Sequence, residues 1–447
     1  MIWNEKMETL SRAEMQELQS ERLRKLVAYV HERVPFYQRQ FAEAGITPAD
    51  IQDIRDLTKL PFTRKSDLRD HYPFGLFAVP REEVIRVHAS SGTTGKPTVV
   101  GYTRDDLQVW AEVCARCLAL SGAKPGDWFQ NAYGYGLFTG GLGMHYGAEY
   151  MGVGVIPVSG GNTARQIMIL QDFQPDIMAC TPSYALTLAD RLLEAGIDPS
   201  SLRVRSFILG AEPWTEEMRQ ELEAKLQVDA VNIYGLSEII GPGVSNECVE
   251  AKDGAHIMED HFLPEVVDPE TGEPLPEGQV GELVFTTLTK QALPLIRYRT
   301  GDLASLTYEP CSCGRTLARM SRVVGRVDDM IIVRGVNVFP SQVEAALLTV
   351  EHVAPHYAIV LTREDHLDRM EVQAEVTPEF FNRVGAEVFG RHPFEAVGEI
   401  QQLQERVRYT LREALGLNVA VTLLPPGQAP RSEGGKLRRV IDKRVLK

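Results

Sequence analysis

The sequence has 447 residues, of which 44% are hydrophobic, and its formal net charge is −14 at pH 7. This length exceeds what one hydrophobic core organises, so two or three domains are expected. The acidic balance argues against broad binding to nucleic acid or to an anionic membrane, because such partners need clustered positive potential. A small molecule is the more natural partner.

The amino-terminal residues, Met1 to Lys6, contain no apolar signal core, and no apolar run is long enough to span a bilayer. We therefore expect a cytoplasmic protein. In that compartment the six cysteines are expected to be thiols or metal ligands rather than disulfides.

In chain order, the first periodic pattern predicts an amphipathic helix from about Ser11 to Val34 that stops near Pro35. Short β-like runs then alternate with helical stretches, which is typical of α/β layers. Strands are predicted at 98–102, 153–158, 176–179, 206–209 and 230–233. Helices are predicted at 105–121, 163–173, 182–195 and 216–226.

The pattern changes toward the carboxyl terminus. Residues 282–287 are β-rich, and from about residue 326 strands mix with helices around 342–348 and 400–415. We therefore predict an α/β protein with a large layered N-terminal body, residues 1–325, and a smaller α+β C-terminal domain, residues 326–447.

A dense run of hydroxyls and glycines with one cation follows the start of the body: Ser90, Ser91, Gly92, Thr93, Thr94, Gly95 and Lys96, then Pro97. Glycines let backbone N–H groups turn toward an anion, and the hydroxyls and the lysine add donors and charge, which suits a polyphosphate. It is not a Walker A loop, because two residues separate its glycines and proline follows the lysine. The alternative is a flexible surface turn.

Further motifs follow in a fixed order: Gly210-Ala211-Glu212-Pro213, Tyr234-Gly235-Leu236-Ser237-Glu238, Tyr298-Arg299-Thr300-Gly301-Asp302, Gly325-Arg326-Val327-Asp328-Asp329 and Pro430-Arg431-Ser432-Glu433-Gly434-Gly435-Lys436. With the first loop, this series resembles the adenylate-forming acyl-CoA synthetase superfamily across nearly the whole chain. The segments 133–141 and 334–340 are similar to its phenylacetate-CoA ligase branch.

The resemblance implies a nucleotide site. Tyr234 with Gly235 would offer a flat face to adenine, the loop from Gly210 to Pro213 would approach the base edge, and Asp302 would accept the ribose hydroxyls. Arg326 would reach the ribose or a phosphate. A packing aromatic, ordinary turns and an interdomain salt bridge are the alternatives.

The resemblance also implies the catalytic groups. Glu238 is a hard carboxylate suited to Mg²⁺ on the ATP phosphates, or else a helix amino-terminal charge. Lys436 is the adenylation lysine by motif, able to align the substrate carboxylate with the α-phosphate. In the family the position of Asp328 is the hinge about which a mobile C-terminal lid rotates. Two glycines precede Lys436 where the family pattern has one.

The acid site is expected in the glycine-dense run from Tyr133 to Gly143. The resemblance to the phenylacetate branch implies Tyr135 and Phe138 as pocket walls, with Gly210 and Ala211 also binding the acid. These aromatic side chains could equally belong to the core. An apolar pocket discriminates weakly between acids that differ by a methylene, so the compound is not settled.

Cysteine chemistry gives a prediction beyond the family pattern. Cys311 and Cys313 lie on one side of an extended segment, and with Cys248 and His256 they suggest a structural zinc site. His261 is the rival fourth ligand, and buried thiols are the alternative. Cys114 and Cys117 are three residues apart in an apolar helical stretch and are assigned to the core.

The sequence therefore predicts an AMP-forming ligase that couples an aryl or arylacetic acid, phenylacetate first among them, to coenzyme A through an acyl-adenylate. ATP, Mg²⁺ and coenzyme A are implied, with zinc as a structural ion; no nucleic acid or membrane partner is expected. The rivals are an enzyme that loads a carrier protein and a non-catalytic nucleotide or aryl-acid sensor. A homodimer is expected only by analogy.

Overall fold

The computed structural model describes residues 1–90, 97–327, 331–333, 336–364, 367–385, 389, 398–431 and 439–444. The chain divides into two compact units. The first comprises Met1–Thr181, Ser200–Ala211 and Val228–Val323, and the second comprises Pro182–Pro199, Glu212–Gln227 and Val324–Lys447. Both contain helices and strands, so the predicted α/β class with a separate C-terminal domain is confirmed.

The helices are α1 Glu5–Glu8, α2 Arg12–Arg33, α3 Pro35–Ala44, α4 Lys65–Asp70, α5 Arg104–Leu120, α6 Thr139–Met151, α7 Thr163–Asp172, α8 Pro182–Glu194, α9 Glu216–Leu226, α10 Pro340–Leu348, α11 Pro378–Val384 and α12 Gly398–Leu415. Short 3-10 turns cover Pro48–Asp50, Ile54–Lys59, Arg81–Glu83 and Pro199–Ser201. None of the described helices is both long and apolar enough to cross a membrane.

The strands of the first unit are β1 Arg86–Ser90, β2 Thr98–Tyr102, β3 Trp128–Asn131, β4 Gly154–Ile156, β5 Ile177–Cys180, β6 Ser206–Gly210, β7 Asp229–Leu236, β8 Gly241–Asn246, β9 Ala255–Ile257, β10 Phe262–Val267, β11 Gly281–Thr287, β12 Tyr298–Ala304, β13 Leu306–Thr307 and β14 Arg319–Met320. Those of the second are β15 Gly325–Arg326, β16 Ile331–Val333, β17 Val336–Val338, β18 Val353–Glu364, β19 Leu367–Val376, β20 Ala420–Leu424 and β21 Val440–Asp442.

One sheet organises the first unit, in the order β13-β14-β9-β8-β7-β6-β5-β3-β4. The pairs from β7 to β4 are parallel and the others are antiparallel. Every residue of β5 and β6 is buried, which explains their continuous apolar sequences. Strands β10, β11 and β12 pair side by side in a second sheet, and β1 pairs with β2 in a hairpin.

The predicted first helix is α2, and its boundaries have local causes. The Ser11 side chain accepts a hydrogen bond from the Glu14 backbone N–H while the Glu14 side chain accepts from the Ser11 backbone, which is a capping box. At the other end Val34 leaves the helical conformation, and Pro35 then occupies the first turn of α3.

Helix α6 overlaps the glycine-dense run from Tyr133 to Gly143, where the sequence analysis predicted no helix. Its glycines permit close packing against α5: a Cβ on Gly143 would lie 2.6 Å from the Trp110 ring, and one on Gly147 would collide with Cys114. The helix forms because its apolar neighbours bury this small-residue face, which offsets the low helix propensity of glycine.

The second unit has its own hydrophobic core. Its main sheet has the order β20-β19-β18-β21, in which β18 and β19 are antiparallel and the outer strands add in parallel. Helix α12 buries Leu403, Val407 and Leu411 in that core, at the helical spacing that predicted it.

Candidate active site and metal centre

The predicted phosphate loop joins the two strands of the β1–β2 hairpin. Ser90 pairs with Thr98 at the end of the hairpin next to that loop. Within the described residues, the buried Ser90 hydroxyl finds no hydrogen-bond partner. The other loop residues of the prediction, Ser91, Gly92, Thr93, Thr94, Gly95 and Lys96, lie outside the described residues, as do Asp328 and Lys436.

Gly210 ends β6, where the chain turns out of the parallel sheet. A side chain there would collide with the Ile233 carbonyl of β7, so only glycine allows this approach of the two strands. The next residue, Ala211, has φ = +74°, in the left-handed region that disfavours side chains. The loop therefore begins with a strained conformation, which is common at functional sites.

Glu212 and Pro213 follow in the second unit. Glu212 Oε1 accepts a hydrogen bond of 2.8 Å from the Ser183 N–H at the start of α8. Arg326 lies in the short strand β15 of the same unit.

Tyr234 and Asp302 are brought together from distant positions in the chain. Tyr234 lies in β7 and Asp302 in β12, and the Tyr234 hydroxyl donates a 2.6 Å hydrogen bond to Asp302 Oδ2. Asp302 is buried. Gly235, which follows Tyr234 in β7, pairs with Pro242 of β8. The two groups predicted for adenosine therefore form one hydrogen-bonded unit.

Glu238 lies in the turn directly after β7 and is only 4% exposed. Lys65, the first residue of α4, places Nζ 3.6 Å from Glu238 Oε1. The sequence analysis did not identify Lys65, because no motif surrounds it and only the fold brings α4 to this turn. A buried carboxylate with one exposed lysine nearby retains oxygen atoms for a cation.

Tyr135 belongs to a polar cluster of the first unit. Its hydroxyl accepts a 2.9 Å hydrogen bond from Asn131 Nδ2 and lies 3.1 Å from His145 Nδ1. Burial raises the pKa of Tyr135 to about 12, so its hydroxyl stays protonated. Phe138 is exposed and directly precedes α6. Asn131 and His145 were missed, since neither forms a motif with Tyr135.

The predicted zinc ligands converge. The ligand atoms of Cys248, His256, Cys311 and Cys313 all lie within 4.8 Å of one another. Cys248 Sγ is 3.8 Å from Cys311 Sγ, and Cys313 Sγ is 3.5 Å from His256 Nε2. The group is almost wholly buried. Hydrogen bonds from Cys248 and His256 lower the pKa of Cys313 to about 2, which favours a thiolate.

The rival ligand His261 lies elsewhere. Its Nδ1 is 2.7 Å from the Thr289 hydroxyl and its Nε2 is 3.2 Å from Asp260, and burial lowers its pKa to about 4. Cys114 and Cys117 are fully buried in α5, as expected for core residues.

A buried cation connects the cluster of Cys248, His256, Cys311 and Cys313 to the amino terminus. Arg315 Nη1 lies 3.6 Å from Cys313 Sγ, and its Nε donates to the buried carboxylate of Glu8. Its Nη2 also donates to the Met1 carbonyl at 2.7 Å. Such groups outside the ligand set orient ligands and adjust their charge.

Comparisons with known proteins agree with this geometry. Residues 16–288 match the model of the AMP-binding enzyme family, and residues 335–444 match that of the AMP-binding enzyme C-terminal domain. A phenylacetate-coenzyme A ligase of Thermus thermophilus is 61% identical over 99% of this chain and 100% of its own length. One from Escherichia coli K12 is 48% identical over 100% of this chain and 99% of its own.

A solved structure is similar over the same span. The crystal structure of 2-hydroxyisobutyryl-CoA ligase in the postadenylation state, in complex with R3-HIB-AMP, superposes with a TM-score of 0.89 at 29% identity. The superposition covers 98% of this chain and 91% of that one. By these matches, this chain belongs to the AMP-binding enzyme family, in the branch of the phenylacetate-CoA ligases.

Proposed function

We propose that this protein is an AMP-forming acid-CoA ligase that converts phenylacetate, or a closely related aryl acid, to its coenzyme A thioester. In the first step a carboxylate oxygen of the acid bonds to the α-phosphorus of ATP, and pyrophosphate leaves. In the second, the thiol sulfur of coenzyme A attacks the acyl carbonyl; AMP leaves and the thiol proton is released. The observation that carries the proposal is the joined placement of Tyr234 and Asp302, in a chain similar along its whole length to ligases named for this reaction.

The nucleotide roles follow from this placement. Asp302 would accept the ribose hydroxyls while Tyr234 orients its carboxylate and offers a ring to adenine. The loop that begins at Gly210 would meet the base edge, and Arg326 the ribose or a phosphate. The residues from Ser90 to Lys96 would surround the phosphates with backbone N–H groups and hydroxyls.

Glu238 would hold Mg²⁺, whose chemistry when bound is to neutralise charge on the phosphate oxygens. The residues fit this ion, because the Glu238 carboxylate is buried, lies 3.6 Å from the exposed Lys65 ammonium and can accept a hard cation. Lys436 would align the substrate carboxylate and stabilise charge in the displacement. Residues 326–447 would act as a lid that turns about Asp328 between the two half-reactions.

The acid would bind beside Tyr135 and Phe138. The Tyr135 hydroxyl is held by Asn131 and His145, so its ring has a defined orientation at the start of the glycine-rich segment. A fixed aromatic wall next to small residues fits a flat aryl group.

We further propose that Cys248, His256, Cys311 and Cys313 bind one structural zinc ion. Two cysteines come from one loop and the other two ligands from the region of β8 and β9, so a metal would connect segments that are distant in the sequence. All four positions of a tetrahedral site would be filled by protein, which leaves none for water activation. A cytoplasmic location and a homodimer stay predictions.

The test is a panel of acids assayed for pyrophosphate release with and without coenzyme A. Phenylacetate, benzoate, 3-phenylpropionate and acetate vary the aryl group and the spacer. We expect the highest kcat/KM with phenylacetate, and one AMP and one pyrophosphate for each thioester formed. Absence of acid-dependent pyrophosphate release would overturn the proposal. Release without thioester formation would favour the carrier-protein alternative.

A further inference from the structure

A lysine outside all the sequence motifs lies buried beside the turn after β7. Lys290 is 4% exposed, and its Nζ donates a 2.9 Å hydrogen bond to the carbonyl of Ile239, the residue next to Glu238. The same ammonium lies 4.6 Å from the centroid of the Tyr102 ring. Within the described part of the chain, Lys290 forms no ion pair. Its charge is therefore held by one carbonyl and one aromatic face.

Two more buried side chains donate hydrogen bonds to backbone carbonyls just after Ile239 in the chain. The Tyr102 hydroxyl donates to Ile240 at 2.9 Å, and Trp110 Nε1 donates to Pro242 at 2.8 Å. The rings of Tyr102 and Trp110 stack with centroids 4.8 Å apart and an interplanar angle of 10°. Together Lys290, Tyr102 and Trp110 form a donor trio beneath the turn.

The donor trio fixes the segment that projects Glu238. The N–H groups of Ile239 and Ile240 both point to the Leu236 carbonyl, at 3.1 and 3.2 Å. Because these N–H groups are held on one side and the carbonyls on the other, the turn has little freedom. The orientation of the Glu238 carboxylate therefore depends on the donor trio.

The donor trio also contacts the hairpin that carries the phosphate loop. Tyr102 is the last residue of β2, whose first residue, Thr98, pairs with Ser90. Asp106 fixes the backbone that follows Lys290. Its carboxylate accepts hydrogen bonds from the N–H groups of Gln291 and Ala292 at 2.7 and 2.9 Å. Lys290 is thus fixed between the two segments predicted to meet MgATP.

A space-filling role does not account for a charged group at this place. Burying an ammonium is costly, and an apolar side chain of the same length would fill the volume without that cost. The buried ammonium and its hydrogen bond to the Glu238 turn favour a role in the reaction.

We propose that Lys290 is a positioning residue for adenylation: its ammonium holds the Glu238 turn in the geometry that binds MgATP. This inference rests on the proposed function, since it assumes that Glu238 acts on the metal and the phosphates. It assigns no contact between Lys290 and substrate.

Burial lowers the pKa of Lys290 to about 8, against the opposing effect of the Asp106 and Glu238 carboxylates, which raise it. The other titratable neighbour in contact, Tyr102, has its pKa raised by burial and stays neutral. Lys290 therefore loses its charge as the pH rises through about 8. Between about pH 8 and pH 10.5 the free energy of unfolding increases with pH. The reason is that Lys290 in the unfolded chain, with a pKa of 10.5, binds the proton more strongly than buried Lys290 does. Activity and stability are expected to change in opposite directions.

The experiment compares Lys290→Met and Lys290→Arg with the unsubstituted protein. It measures acid-dependent ATP–pyrophosphate exchange across pH and the Kd of MgATP by calorimetry. We expect Lys290→Met to lower kcat/KM for MgATP by about 10²-fold, as for a misplaced reacting group, and to weaken MgATP binding. Lys290→Arg, which stays charged, should move the alkaline limb of the pH profile upward by about one unit or more. Conversion of supplied acyl-adenylate to thioester should change less.

Lys225→Met is the matched control, because Lys225 pairs with Asp190 and Glu221 at 2.9 and 2.7 Å and is placed in no site. It should lower the melting temperature and leave the MgATP Kd and the pH profile unchanged. If Lys290→Met matches this control, or if the alkaline limb stays in place in Lys290→Arg, the inference is overturned while the ligase function stands. If Lys290→Met does not fold, the arginine variant and Tyr102→Phe decide. Failure of the unsubstituted protein to exchange pyrophosphate would instead overturn the function.

Discussion

The Tyr234 hydroxyl donates a 2.6 Å hydrogen bond to Asp302 Oδ2, which joins the end of β7 in the main sheet to β12 in the neighbouring sheet. The acceptor is buried and the donor half-buried, so the bond has little competition from water. The bond fixes the orientation of the Asp302 carboxylate. Under the proposed function a ribose would meet this carboxylate, and the bond would then link sheet packing to nucleotide recognition.

Tyr234→Phe removes this hydrogen bond and keeps the ring. Hydrogen bonds to charged groups contribute about 1.5–3 kcal/mol, so we expect the KM for ATP to rise about tenfold with little change in kcat. Steady-state pyrophosphate release over a range of ATP concentrations measures both. Tyr409→Phe is the control, since Tyr409 is 62% exposed on α12. A lower kcat with unchanged KM would contradict the assigned role.

Lys436→Ala tests the division of labour between the half-reactions. In the proposed mechanism adenylation needs a cation on the substrate carboxylate, and thioester formation would follow after the lid has turned, so only the first half-reaction should fail. We expect acid-dependent ATP–pyrophosphate exchange to fall by about 10²-fold or more, while supplied acyl-adenylate and coenzyme A still give thioester. Equal loss of both half-reactions would refute this assignment.

Replacing Cys311 and Cys313 together by serine tests the metal. Purified protein should hold about one zinc per chain, and the double variant none. Loss of a cross-link between distant segments costs about 2–5 kcal/mol, which lowers the melting temperature by about 5–10 °C. Pyrophosphate exchange at low temperature should change much less.

Cys117→Ala is the control for the zinc experiment, because Cys117 is fully buried in α5 outside the proposed zinc site. It should lower stability by about 1 kcal/mol through a small cavity and leave the zinc content unchanged. Protein prepared without chelators that contains no zinc, or a double variant that melts at the original temperature, would return these cysteines to the status of ordinary thiols.

Asp260→Asn tests the buried ion pair that holds α5. Arg116 donates to both carboxylate oxygens of Asp260 at 2.9 and 3.1 Å, and both side chains are 1% exposed. The substitution removes one charged partner of the buried guanidinium and leaves its 2.7 Å contact with Glu112, so we expect a loss of about 1.5–3 kcal/mol in unfolding free energy at neutral pH. Asp253→Asn, at a carboxylate that is 81% exposed, should cost less than about 1 kcal/mol.

The pH dependence of that loss follows from the pKa of Asp260. Burial alone would raise it, but the charges of His261 and Arg116 hold it at about 2, below the ordinary 3.8. A depressed carboxyl pKa contributes stability that is present above 3.8 and is lost as the pH falls toward 2. The difference between the two proteins should stay constant from pH 7 to about 5 and shrink below about 4. A difference that grows on acidification would contradict this.

Local chemistry determined much of this fold. The predicted strand 98–102 and helix 216–226 coincide with β2 and α9, since their hydrophobic periods and flanking turn residues are local signals. Helix α6 was missed because glycines lower helix propensity in any window of sequence. Only its packing against Trp110 and Cys114 makes those glycines favourable.

The candidate site, like the fold, was predicted from the sequence only in part. Motif residues such as Tyr234, Glu238 and Asp302 were identified from the sequence, because their chemistry and order are visible there. The sequence also predicted four candidate zinc ligands, but only the fold shows that His256, and not His261, lies with Cys311.

Lys65 and Lys290 carry no sequence signal, because nothing near either residue in the chain indicates its neighbours. Lys65 meets Glu238 only because α4 lies at the end of β7, and Lys290 meets the same turn from the loop after β11. The sequence by itself thus determined many of the elements and the candidate reactive groups of the motifs. Tertiary structure decided which charges are buried beside them, since burial and long-range contact are properties of the packed chain.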